Sequence, residues 1–64
     1  MDAARRIVRA GDADREETVR HLQRGLTQGR LTVDEFDERV QAAHAARTLG
    51  ELADLVRDLP RSLW

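Results

Sequence analysis

Apolar side chains recur at helical spacing in three stretches of this chain, and each stretch is bounded by residues that start or stop a helix. Val19, Leu22 and Leu26 stand at i, i+3 and i+7, which places them on one face of a helix. That helix is predicted over about 13–28, with Asp12 as its N-cap and Asp14, Glu16 and Glu17 in the first turn, where carboxylates complement the helix dipole. Phe36, Val40 and Ala43 form a second line, widened by Ala42 and Ala46, and predict a helix over about 33–46. Leu49, Leu52, Leu55, Val56 and Leu59 give the most apolar face of the chain and predict a third helix over 49–59, ended by Pro60. The alternative for the last two is one long helix bent near Gly50, a residue that lowers helix propensity.

The segment Gly29-Arg30-Leu31-Thr32-Val33-Asp34-Glu35-Phe36 reads as a helix-turn-helix corner. Gly29 can take the left-handed conformation that ends a helix without a Cβ penalty. Thr32 can N-cap the next helix while Glu35, three residues on, reaches back to the cap amide. Leu31 before the cap and Phe36 after it have the spacing of a hydrophobic staple. Thr48 and Glu51 repeat the capping pattern, which favours a break before the third helix. Gly25, beside the first apolar line, permits a close approach by another helix. The fold class that follows is all-α, a small helical hairpin plus a third helix.

On this reading, residues 1–11 are an N-terminal arm, 12–60 the helical domain and 61–64 a tail. The arm sets Arg5, Arg6 and Arg9 around Ile7 and Val8 without a helical stripe, and is expected to be a frayed arm or a short extended piece. The tail carries Leu63 and Trp64. Either Trp64 folds back on the bundle or a longer natural chain has been cut there.

Composition narrows the chemistry. The chain has no cysteine, so disulfides and thiolate metal sites are excluded. No apolar run reaches the length of a membrane span, and no signal-peptide core is present. All 11 cationic residues are arginine, which reads as the codon bias of a GC-rich genome, and the formal net charge is −1. Residues 1–30 hold seven arginines against five acids and residues 31–64 four against seven, giving +2 and −3. The halves can attract one another, within a chain or between copies. Neither is basic enough to predict nucleic-acid or membrane-surface binding.

Candidate catalytic and ligand groups are sparse. His21 and His44 each stand alone on a predicted helix, without the paired spacing a metal needs; the expectation is a surface residue for His21 and an edge-of-core residue for His44. The acids from Asp12 to Glu17 lack the glycine and distal glutamate of a calcium loop. Asp34, Glu35, Asp37 and Glu38 crowd the start of the second helix, but a 64-residue bundle has little room for a pocket that would tune them. Ser62 has no neighbouring base, and Gly25 and Gly29 do not form a phosphate cradle. No catalytic, cofactor or metal residue is assigned. A DNA-reading helix would meet phosphate with those same acids, so the alternative of nucleic-acid binding would fall to Arg15, Arg20, Arg24 and Arg30.

Three blocks in order carry a family resemblance: Asp12-Ala13-Asp14-Arg15-Glu16; Gly29-Arg30-Leu31-Thr32 with Glu35-Phe36-Asp37-Glu38-Arg39; and Ala45-Ala46-Arg47-Thr48 with Glu51-Leu52 and Asp58-Leu59-Pro60. Over about residues 7–60 the chain resembles the SHOCT-like bacterial domain of unknown function, and its central block is similar to the wider SHOCT short helical module. Gly11 departs from that pattern, where a serine is common, which either weakens the first cap or moves it to Asp12. The resemblance implies a cytoplasmic N-terminal domain of a larger membrane-associated protein, acting in oligomerisation or docking, with no catalytic residue to transfer. The expected function is thus a non-enzymatic protein-interaction or self-association module whose partner is itself or another protein. Its expected contact residues are the surplus apolar ones, Ile7, Val8, Leu55, Leu63 and Trp64.

Overall fold

The corner after the first long helix sets the course of the chain. In the computed structural model, which describes residues 3–60, Gly29 has φ 74°. The Arg30 N–H donates to the Gly25 carbonyl at 2.9 Å and the Gly29 N–H to the Leu26 carbonyl at 3.0 Å, the paired closure of a Schellman motif. Thr32 Oγ1 accepts from the Glu35 N–H at 3.1 Å, and Glu35 Oε1 accepts from the Thr32 N–H at 2.8 Å. This reciprocal box satisfies two amides that a helix start would otherwise leave open. Leu31 is buried, and Phe36 packs half-buried against the cluster it belongs to.

The described residues form four helices and no strand: α1 (Ala3–Arg6), α2 (Asp12–Thr27), α3 (Val33–Ala45) and α4 (Leu49–Leu55). The fold is all-α. Helices α2 and α3 make an antiparallel hairpin, because Leu22, late in α2, shares a cluster with Phe36 and Val40, whereas Val19, a turn earlier, shares one with Ala43 and Ala46. Two small cores result, one of Leu22, Leu31 and Leu59, the other of Ala43, Ala46 and Leu52. The alanines keep α4 close to the hairpin.

The backbone leaves helical geometry at Ala46 (φ −66°, ψ 140°), so α3 and α4 are separate helices and not one bent rod. Thr48 starts α4 with a second capping box: its Oγ1 accepts from the Glu51 N–H at 3.2 Å while Glu51 Oε1 accepts from the amides of Thr48 and Arg47. Arg15 holds the break from the other side, its Nε donating to the Ala46 carbonyl at 3.1 Å.

Several expectations are corrected. The third helix stops at Leu55, not at Leu59. Past Val56 the chain turns, with the Leu59 N–H on the Val56 carbonyl at 3.0 Å, and this swings Leu59 back over Gly25. A Cβ at Gly25 would lie 3.1 Å from Leu59 Cδ1, so Gly25 admits a leucine from a turn and not a second helix. The N-cap of α2 is Gly11, not Asp12; Asp14 Oδ2 accepts the Gly11 N–H at 2.9 Å, half of a capping box without a side-chain cap. Ala42 is exposed, outside the buried line. From Ala3 onward the arm is ordered: it makes one helical turn, then pairs Arg9 with Thr48 as an isolated antiparallel bridge, so of the two expectations the short extended piece holds in part.

Candidate interaction surface

The arm is fixed by a close packing contact, an ion pair and two backbone hydrogen bonds. Gly50 of α4 is buried beneath it, and a Cβ there would lie 2.9 Å from both the Cβ and the carbonyl oxygen of Arg6. The Arg6 guanidinium donates through Nη1 and Nη2 to both carboxylate oxygens of Asp54, at 3.2 and 2.9 Å, a fork geometry that orients as well as binds. The Leu49 N–H donates to the Val8 carbonyl and the Ala10 N–H to the Arg47 carbonyl, both at 2.9 Å. With the backbone so engaged, Ile7 and Val8 are held outward, 77% and 49% exposed. Exposed apolar side chains on an anchored backbone lose little further entropy when a partner covers them.

Leu55 is half-buried against the second core. It lines a shallow depression of about 310 Å³ with Ala42, Ala45, Ala46 and Glu51 between α3 and α4. Val33 at the start of α3 is 64% exposed and was missed by the sequence reading; at i, i+3 and i+7 with Phe36 and Val40 it continues the buried line in spacing, so periodicity gave no sign of its exposure. Leu63 and Trp64 lie outside the described residues. Gly29, Leu31, Thr32, Glu35 and Phe36 all act in the α2–α3 corner and form no part of the exposed surface around the arm.

A larger depression of about 630 Å³ beside the arm is lined by Arg5, Arg6, Glu17, His21, Asp54 and Arg57, among others. Hydrogen bonding from Arg20 holds the Glu17 carboxyl below the usual range, and hydrogen bonding from Arg6 does the same for Asp54. Both stay ionised near neutral pH and have no proton to donate there. His21 is not a plain surface residue: it is half-buried, with Nε2 2.7 Å from the Pro60 carbonyl oxygen, where it ties α2 to the end of the described chain. His44 is exposed, away from the core edge. No group of three or more histidine and carboxylate side chains converges among the described residues.

The arginines of α2 are largely engaged. Arg15 reaches Ala46 and Asp12, Arg20 pairs with Glu17 at 2.8 Å, and Arg24 lies 3.9 Å from the same carboxylate. Arg30, past the helix, donates to Gln28 at 3.0 Å. Across the hairpin, Arg39 donates to both oxygens of Asp58 at 2.7 and 3.0 Å and to the Leu55 carbonyl at 3.1 Å, capping the C-terminus of α4 with a cation. No described helix is long and apolar enough to cross a membrane.

The capped corner, the hairpin and the short following helix define a small all-α domain of the helical-hairpin kind. Residues 8–60 match the DUF1707 SHOCT-like domain, and the chain belongs to that family, a domain of unknown function. It is similar to two uncharacterized proteins of Mycobacterium tuberculosis, from strains CDC 1551 / Oshkosh and ATCC 25618 / H37Rv. Each is 49% identical over 51 residues, covering 80% of this chain but 18% of the relative. The chain thus spans less than a fifth of the length of these curated relatives. No solved structure gives a significant match.

Proposed function

We propose that this chain is a non-enzymatic protein-interaction or self-association module, the cytoplasmic N-terminal domain of a larger membrane-associated protein. One observation carries the reading: Ile7 and Val8 are exposed on a backbone locked by the Arg6–Asp54 fork and the bridge to Thr48. An exposed apolar side chain on an anchored backbone serves contact better than it serves solubility. Membership of a larger protein is supported by the relatives, in which the matching stretch is 18% of the length. The membrane side of the reading rests on the family resemblance.

Light scattering across a concentration series tests it. A mass that rises with concentration, and falls back for Ile7→Ser/Val8→Ser, is the expected result. A constant monomer mass, together with salt-dependent binding of random duplex DNA, would overturn the reading in favour of nucleic acid. Fractionation of cells making the longer parent protein tests the location, with the membrane fraction expected.

A further inference from the structure

We infer that the arm of one copy docks on the outer face of the first two turns of α3 in a second copy. This deepens the self-association reading and rests on it. Ile7, Val8 and Val33 are the large apolar side chains most exposed among the described residues, and they sit in fields of opposite sign. Ile7 and Val8 are flanked by Arg5 and Arg9, both exposed, with no acid between residues 3 and 10. Val33 is followed by Asp34 and Asp37, also exposed; Asp37, four residues on, shares its side of the helix, and Asp34 lies beside Asp37 at i,i+3. Among the described residues none of these four charges forms an ion pair. Arg6, by contrast, is spent on Asp54, and Glu35 on the Thr32 cap.

A single molecule does not bring the two patches together. Val33 opens α3, whereas the arm is bridged to Thr48, beyond the far end of that 13-residue helix, a separation of about 20 Å along its axis. A second copy supplies what the first lacks, an apolar contact ringed by opposite charges, and every copy both gives an arm and receives one. Three aliphatic side chains make a small contact, so association is weak and salt-sensitive in the isolated domain.

Charge reversal on each side tests the contact. Arg5→Glu/Arg9→Glu and Asp34→Arg/Asp37→Arg are each expected to weaken self-association at least tenfold at low salt, while a 1:1 mixture regains it because the reversed patches match across copies. On dilution of the native chain, amide shifts in NMR spectra are expected to concentrate at residues 5–9 and 33–37. Circular dichroism checks that each variant folds, and Val33→Ser, at an exposed position, replaces the α3 pair if it does not. A native chain that associates while all these variants associate equally well would overturn this contact and leave self-association standing. A native chain that stays monomeric to millimolar concentration at low salt would overturn both.

Discussion

Gly50 and Arg6 touch so closely that a single added carbon at Gly50 would sit 2.9 Å from the Arg6 Cβ and equally near its carbonyl oxygen. The helix α4 therefore carries glycine where the arm lies down, at a propensity cost of about 1 kcal/mol relative to alanine. Gly50→Ala recovers that propensity but collides with backbone, so the arm must lift. The expected result is a lower melting temperature and faster hydrogen exchange at the amides of Ala10 and Leu49, which bond across the bridge. Gly25→Ala is the contrasting case. It meets the tip of Leu59 at 3.1 Å, a flexible group that can give, and its net effect is expected within about 1 kcal/mol of zero.

Leu59 is buried at 6% exposure by a turn and not by a helix. Leu59→Ala is expected to cost about 2–5 kcal/mol in denaturant unfolding, the range for a buried leucine. Arg39→Lys loses the fork on Asp58 and the bond to the Leu55 carbonyl that hold this turn; a cost of about 1 kcal/mol is expected, since lysine cannot reproduce the planar geometry.

At the α2–α3 corner the cap and the ring separate by size of effect. Thr32→Ala is expected to cost about 1 kcal/mol through loss of the hydroxyl that accepts the Glu35 amide. Phe36 is only half-buried, so Phe36→Ala is expected to cost about 2 kcal/mol, less than the 3–5 kcal/mol typical of a fully buried ring. Thermal melts of the two variants check the order.

Acid stability follows from four carboxyls held below their ordinary values of 3.8 for aspartate and 4.5 for glutamate. Asp54 and Asp58 are lowered chiefly by hydrogen bonds from Arg6 and Arg39, Glu17 by Arg20, and Glu51 by the backbone amides of Arg47 and Thr48. Their folded values lie below their unfolded ones, so in acid the unfolded chain binds more protons and stability rises with pH. The contribution is complete above about pH 5 and is lost as pH falls below about 4. Melting temperatures measured from pH 7 to pH 2 are expected to be flat and then to drop. Asp54→Asn should flatten part of that drop, because its arm contact no longer titrates.

The corner from Gly29 to Phe36 was legible in the sequence because every interaction in it spans a few residues: glycine for a positive φ, threonine and glutamate exchanging amides, leucine before the cap. The same local logic gave the break before Thr48 and the hairpin itself, since apolar lines at helical spacing can bury only against each other. Ile7 and Val8 were candidates for contact because they belonged to no stripe, and their exposure was not visible until the arm had a position.

Periodicity overran at the other end of the chain. Leu59 continues the apolar line of α4 in spacing, yet the chain turns out of the helix and places it over Gly25, a position 34 residues earlier that no local rule connects to it. The arm was left between two expectations for the same reason: the order of its described part comes from Asp54, Thr48 and a bare Gly50, all more than 35 residues away. The sequence by itself determined that three principal helices form, the threonine caps of the last two and the hairpin, because those are set by contacts between near neighbours. Only the tertiary structure decided where the arm lies, where α4 ends and which apolar side chains remain outside, because each of those is a contest between distant surfaces for the same small core.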